Sequence, residues 1–207
     1  MITIIDNFFR DPYKIRKVAL ESNFKSDLRY PGYRCDLNSI ISPQVSLSTV
    51  EYQLEKRIKD ILNKDIKIFY AAFQFTDKSW ITGISHFDYN KSGFTGISIT
   101  FLTLDPPSNS GTEIYDHVNN YRSSDRKLLS KNFEFKKSFY SSNRNFSRRF
   151  LFKRKLKAYN SHFKDPCIVN NKFNRTVVFD SKRIHRAQDF FGTNLVDSRL
   201  TLVSFFS

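Results

Sequence analysis

The sequence predicts a mainly β fold, a sandwich or barrel with helices against one face. Three observations lead there. Two helical patterns open the chain. A long stretch follows in which apolar residues recur at every second position. The composition includes 22 Phe, 10 Tyr and 1 Trp among 207 residues, enough bulky apolar surface for one well-packed interior. No internal repeat and no Pro- or Gly-rich linker interrupts the chain, so residues 1–207 read as a single domain.

Residues Ile2–Ile5 form the first expected strand. Asp11-Pro12 follows as an N-cap with proline at the first helical position. Ile15, Val18 and Ala19 then repeat at helical spacing toward Ser22. A polar loop contains Tyr30-Pro31-Gly32-Tyr33. The second helix is the clearest element, with Leu47, Val50, Leu54, Ile58, Ile61 and Leu62 on one face and Asn63 as its stop. The period then changes to two. Strands are expected at Ile66–Phe75, Ile81–Asp88, Phe94–Leu104, Thr112–Tyr115, Thr176–Phe179 and Ser198–Phe206. Asn90-Lys91-Ser92-Gly93 and Asp105-Pro106-Pro107-Ser108-Asn109 separate them as turns or loops.

Composition excludes several classes. Only two cysteines are present, Cys35 and Cys167, in no paired motif, so neither a disulfide scaffold nor a Cys-rich zinc site is expected. No apolar run reaches the roughly 20 residues of a membrane span, and no basic start followed by an apolar stretch marks a secretory signal. A cytoplasmic protein is expected, in the host cytoplasm if the source is viral. The net charge is +14, but it is concentrated. From Asn119 to Asp165 there are 14 Lys and Arg against 3 Asp and Glu, a net of +11 that leaves +3 for the rest. Phe133, Phe135, Phe139, Tyr140, Phe146, Phe150, Phe152 and Tyr159 are interleaved there. Phe152, Leu156 and Tyr159 can share a helix face. The segment reads as a long insertion at about 119–165, either a lid or a surface for nucleic acid or another polyanion.

The chemistry centres on His86-Phe87-Asp88 at the end of an expected strand. Residues i and i+2 of a strand point to the same side, so imidazole and carboxylate converge. One further histidine completes a two-histidine, one-carboxylate facial set with open positions for Fe(II). His185 and His117 are the rivals for that place; His117 lies where no strand is evident, and His162 reads as solvated within the insertion. Near the end, Arg199 and Thr201 again share a strand face. An arginine buried in an aromatic-rich barrel needs an anion, and a carboxylate suits it.

With these pieces in place, the sequence resembles the Fe(II)- and 2-oxoglutarate-dependent dioxygenases of the prolyl-hydroxylase-like branch. It is similar to small oxygenases of that type in bacteria and their phages. The resemblance rests on Ile4-Ile5-Asp6-Asn7-Phe8-Phe9 with Asp11-Pro12, on Tyr30-Pro31-Gly32, on Gly111-Thr112-Glu113-Ile114-Tyr115, and on the closing Arg199-Leu200-Thr201-Leu202-Val203. It covers nearly the whole chain outside 119–165. It implies a double-stranded β-helix, the jelly roll or cupin-like barrel, buttressed by helices. It implies Fe(II) on His86, Asp88 and His185, 2-oxoglutarate as co-substrate paired with Arg199 beside Thr201, and ascorbate as a candidate reductant. The reaction implied is hydroxylation of an unidentified substrate with release of succinate and CO2, a peptidyl or prolyl side chain being favoured by analogy over a small molecule. Two departures stand out. Asp88 and His185 are 97 positions apart, the insertion supplying the excess. Phe101 falls where relatives often carry a tyrosine that helps hold the co-substrate. A nucleic-acid-binding or nucleic-acid-oxidising protein, or a silent jelly-roll binding protein, is the alternative. No membrane partner is expected, and the oligomeric state is open.

Overall fold

Antiparallel pairing organises the chain into two sheets. The structure, a computed structural model, describes residues 1–26, 30–37, 47–80, 83–88, 93–121 and 146–207; for 47–48 and 146–152 it describes the backbone. The strands are β1 Ile2–Ile5, β2 Lys25–Ser26, β3 Tyr33–Asp36, β4 Ile68–Thr76, β5 Gly96–Phe101, β6 Thr112–His117, β7 Cys167–Val169, β8 Thr176–Asp180, β9 Arg183–Ala187 and β10 Arg199–Phe206. The helices among the described residues are α1 Pro12–Leu20, α2 Leu47–Leu62 and α3 Phe146–Asn160. A seven-stranded sheet runs β1-β8-β5-β10-β4-β3-β2 and a three-stranded sheet runs β7-β6-β9. This is the expected jelly roll. Among the described residues no helix is long and apolar enough to cross a membrane.

Alternation along the strands creates two different faces on the large sheet. In β10, Leu200 and Leu202 pack toward α1 and α2, in one cluster with Val18, Val50, Leu54, Ile58 and Phe73. Arg199, Thr201 and Val203 therefore face the other way, toward the small sheet. There Ile97, Ile99, Phe101, Val177 and Phe179 meet Ile114 and Val169 across the interior. A third cluster covers the outer side of the small sheet, where Tyr115 and Ile184 pack on Leu156, Tyr159 and Phe163 from α3 and the turn after it. Truncating a fully buried member such as Leu54 to alanine costs about 2–5 kcal/mol.

The helices follow their local signals. The Asp11 side chain accepts from the Lys14 N–H, capping α1 at its proline start. Arg16 is buried on that helix and donates to the carbonyls of Leu102 and Val196 at 2.7 and 2.8 Å, tying α1 to the segment that enters β10. Helix α2 stops as expected at Asn63, whose φ is 47°. The short β2, β3, β7 and β9 lie in segments read as loops or left unassigned. The expected turn at Asn90–Ser92 lies outside the described residues, as do Phe133, Phe135, Phe139 and Tyr140 and the side chains of Leu47, Phe146, Phe150 and Phe152.

One expected strand is corrected. Over the described part of Ile81–Asp88 there is no strand, only a single bridge at His86. Ahead of that bridge, its backbone groups bond to side chains of α3 instead of a neighbouring strand. The Ser85 N–H donates to Asn160 Oδ1 at 3.0 Å, Asn160 Nδ2 donates to the Gly83 carbonyl at 3.1 Å, and the Tyr159 hydroxyl donates to the Ser85 carbonyl at 2.8 Å. Those donors and acceptors are thereby satisfied without a ladder. A second correction lengthens β6, which continues through His117, where no strand was expected.

Asp6, just after β1, takes two bonds from Arg175 at 2.6 and 3.0 Å and one from Lys172 at 2.8 Å. Hydrogen bonds from Arg175 first and Lys172 second hold its carboxyl well below the usual carboxylate range. The folded state thus favours the ionised form, and the benefit exists above about pH 4 and fades as the pH falls further. Asp6→Asn is expected to lower Tm at pH 7, with the gap from wild type closing as the pH is taken from 5 toward 2 in thermal melts. A gap that stays constant with pH contradicts this.

Candidate metal centre

His86 and His185 are brought together by their own backbones. The His86 N–H donates to the His185 carbonyl at 3.0 Å, and the His185 N–H donates to the His86 carbonyl at 2.7 Å. Residues paired in this reciprocal way stand opposite each other with side chains on one face. Their ring centroids are 4.4 Å apart. Asp88 follows two residues on, its N–H donating to the Ser181 carbonyl at 3.2 Å in the turn between β8 and β9. One Asp88 carboxylate oxygen lies 3.7 Å from His86 Nε2 and the other 3.3 Å from His185 Nε2. Ligand atoms of the three residues all fall within 4.8 Å of one another. His185 is buried, with Phe179 edge-on to its ring at 4.9 Å.

The hydrogen bonds on the far side of each ring assign the tautomers. His86 Nδ1 lies 2.7 Å from the Ile84 carbonyl and His185 Nδ1 lies 3.1 Å from the Arg183 carbonyl. A carbonyl only accepts, so each Nδ1 carries hydrogen and each Nε2 of a neutral ring presents a lone pair. Two such lone pairs and a carboxylate then face one point. Together they attract a cation, and a divalent metal ion can be shared by all three. This donor set, oriented by outer carbonyls, fits a divalent ion of the iron type.

The three residues line a cavity of about 150 Å³ between the sheets, with Arg199, Thr112, Gln74, Arg34 and Tyr30 also on its wall. Arg199 is 6% exposed. Its Nε donates to the Ser110 carbonyl at 3.1 Å and its Nη2 to Thr112 Oγ1 at 3.0 Å, and its guanidinium stands 5.4 Å from the Phe101 ring centre. None of these groups is a carboxylate. Burial pushes Arg199 down to about 10, so it remains charged at neutral pH. The Thr103 hydroxyl accepts from the Leu200 N–H and donates to the Ser198 carbonyl, both at 3.0 Å, clamping the backbone on either side of this arginine. A fixed, buried cation without an acidic partner among the described residues is half of an ion pair whose other half is a ligand.

Thr201 lies on the same face as Arg199, fully buried, but its hydroxyl donates to the Gln74 carbonyl at 3.4 Å and it is not part of the cavity wall. Phe101 is its direct partner across β5 and gives Arg199 a ring face in place of a hydroxyl. His117 stands apart from the cluster, 3.9 Å from Asp180, and His162 is exposed. Sequence reasoning missed Thr112, Ser110, Gln74 and Arg34. Thr112 was legible in principle, since it alternates with the inward Ile114 on β6. Behind His185, Arg186 donates to Glu113 at 2.6 Å and the Tyr115 hydroxyl donates to the same carboxylate oxygen. Burial first, then that hydrogen bond, pushes the Tyr115 phenol up to about 12, so it keeps its proton.

Solved structures share this architecture. An oxidoreductase of the 2OG-Fe(II) oxygenase family from Burkholderia pseudomallei matches with a TM-score of 0.60 at 7% identity, over all of this chain and 84% of that one. HygX from Streptomyces hygroscopicus, with nickel and 2-oxoglutarate bound, matches at 0.59 and 11%, over all of this chain and 82% of its own. A prolyl hydroxylase from Trichoplax adhaerens, in complex with a hypoxia inducible factor peptide fragment, matches at 0.58 and 12%, over 99% of this chain and 82% of that one. The fold is that of the Fe(II)/2-oxoglutarate oxygenases. A comparison with curated proteins finds no match. Within this fold class the chain belongs to DUF6445, a family of unknown function, which it matches over residues 1–206.

The bonds from α3 to the segment before His86 make a direct forecast. Asn160→Ala leaves the buried Ser85 N–H and Gly83 carbonyl without their partner, at a cost of about 1–3 kcal/mol. Hydrogen exchange at Ser85 and His86 is expected to quicken while amides of β10 stay protected. Unchanged exchange at 85 and 86 contradicts the role given to α3.

Proposed function

We propose that the protein is an Fe(II)- and 2-oxoglutarate-dependent dioxygenase that hydroxylates an organic substrate and releases succinate and CO2. The observation that carries this reading is the convergence of three candidate ligand atoms within 4.8 Å, in one cavity with a buried arginine that has no acidic partner among the described residues. The fold shared with HygX and the prolyl hydroxylase supports it. Residues 1–207 act as one oxygenase domain in this reading, the 119–165 segment being an insertion whose end supports the metal loop.

His86, Asp88 and His185 would hold the iron through Nε2, a carboxylate oxygen and Nε2. Iron with 2-oxoglutarate and dioxygen would supply the oxidising chemistry, and ascorbate would return the iron to its divalent state. The chain's own contributions are orientation and exclusion of water. The Ile84 and Arg183 carbonyls hold both imidazoles in the tautomer that ligates. Arg199, kept straight by Ser110 and Thr112, would pair with the distal carboxylate of 2-oxoglutarate. Thr201 would act beneath it, through Gln74, rather than as a direct contact. Ile97, Ile99, Val203 and Phe205 give the cavity apolar walls that keep competing water out. A prolyl or other peptidyl side chain is the first substrate class by analogy with the Trichoplax enzyme, and a small molecule the second, HygX having been solved with hygromycin B.

Two measurements test this. Wild-type protein with added Fe(II) is expected to convert 2-oxoglutarate to succinate even without a prime substrate, and His185→Ala to fall to the protein-free background. In Arg199→Met, the affinity for 2-oxoglutarate is expected to drop by about 10–100-fold while Co(II) affinity changes little. Equal succinate release from wild type and His185→Ala overturns the assignment. So does Co(II) binding that ignores loss of His185.

A further inference from the structure

A second arginine faces the same cavity. Arg34 on β3 is half-buried, and its guanidinium is fixed on two sides. Its Nε and Nη2 donate to the one Gln74 Oε1, at 3.2 and 3.0 Å. The Tyr30 ring covers its face, with the guanidinium carbon 3.8 Å from the ring centre. Gln74 is itself held, its Nε2 donating to the Pro31 carbonyl at 2.7 Å. Pro31 can approach so closely because Gly32, at φ 82°, lets the loop lie against β4; a Cβ there would come within 2.1 Å of the Phe75 carbonyl oxygen. Among the described residues no carboxylate pairs with Arg34 and its Nη1 makes no hydrogen bond.

The charge balance of the cavity gives this arginine a direction. Among the described residues the wall carries two arginines and one carboxylate, that of Asp88. In the oxygenase reading, on which this step rests, a divalent iron and a doubly ionised 2-oxoglutarate cancel each other. Asp88 and Arg199 cancel likewise, and among the described lining residues the charge of Arg34 is left over, Asp36 two positions along β3 being engaged by the Tyr70 hydroxyl. A loaded site with one uncompensated, oriented guanidinium is complementary to an anion. We infer that Arg34 is a specificity-determining residue that binds an anionic oxygen group, a carboxylate or a phosphate, on the substrate to be oxidised. Gln74 and Tyr30 are its positioning residues: they hold the fork so that Nη1 is presented without loss of side-chain freedom on binding.

The test reads Arg34 itself. Protein labelled with ¹⁵N, loaded with Zn(II) and 2-oxoglutarate, is titrated with sodium acetate and separately with inorganic phosphate. Saturable shifts of the Arg34 Nε–H and the Gln74 side-chain amide are expected, and the tighter of the two anions names the source. In Arg34→Gln the anion affinity read at the Gln74 amide is expected to fall about tenfold, with Arg34→Lys recovering part of it. The affinity for 2-oxoglutarate is expected to stay within about twofold in both variants, since Arg199 holds that ligand. No saturable shift from either anion in the wild type, or equal binding in Arg34→Gln, overturns the inference. Failure of the wild type to bind 2-oxoglutarate overturns the oxygenase reading instead, and the Arg34 resonance still decides the anion question.

Discussion

Two reciprocal hydrogen bonds between His86 and His185 are the constraint on which the rest of the site depends. They are the only bridge that the described part of the 83–88 segment makes to a strand. Through them, β9 of the small sheet fixes both where the first imidazole stands and which way it faces. The rings sit 4.4 Å apart because their backbones are paired, and the Nδ1 contacts then rotate each Nε2 inward. Asp88 completes the set because its own N–H is anchored to Ser181, at the turn that feeds β9. All three proposed ligands are thus tied, directly or one step removed, to a single β-turn-β unit. Such over-determination gives a site tolerances of tenths of an ångström.

Arg199 shows the same logic in the large sheet. It occupies an inward position of the central strand β10, flanked by β4 and β5, where it is almost wholly buried. Its two bonds reach across to Ser110 and Thr112 at the start of β6, so the guanidinium spans the gap between sheets. A buried guanidinium with only neutral acceptors is a stability cost that an ionic ligand offsets. The two halves of the cavity are accordingly different in charge, electron-rich at the histidine end and cationic at the arginine end. That polarity suits a small molecule with a chelating head and an ionised tail.

How much of this was legible in sequence depends on whether the signal was local. Helix α2 and strand β10 were, because six apolar positions at helical spacing, or Leu200 and Leu202 alternating with smaller or polar partners, define a face without reference to anything distant. Two of the three candidate ligands, His86 and Asp88, were legible as residue types at i and i+2. Strand β9 was not, because Arg183, His185 and Arg186 leave it only Ile184 and Ala187 as apolar residues. Its outward charges are satisfied by Glu113 and by the Tyr115 carbonyl on β6, which no window around residue 185 contains. The failed strand at 81–88 has the mirror-image cause. Its alternation is strand-like, yet its hydrogen bonds go to Tyr159 and Asn160, more than 70 positions away.

That last contact changes the meaning of the basic segment. Read by composition, residues 119–165 look appended, a solvated block of positive charge. The described end of the block behaves otherwise. Leu156, Tyr159 and Phe163 are buried against Tyr115 and Ile184 on the back of the small sheet. Lys153, Arg154, Lys155 and Lys157 alternate with them on the exposed side. The Tyr159 hydroxyl is deeply enough buried that desolvation raises its pKa, so it donates to Ser85 at any ordinary pH. A helix that satisfies the backbone just ahead of His86 cannot be removed without freeing the segment that carries two of the proposed ligands. The long separation between Asp88 and His185 is therefore not a passive excess of chain. The last turn of α3 stands in for a strand neighbour at Gly83–Ser85, just ahead of the bridge at His86, and supports that segment from behind.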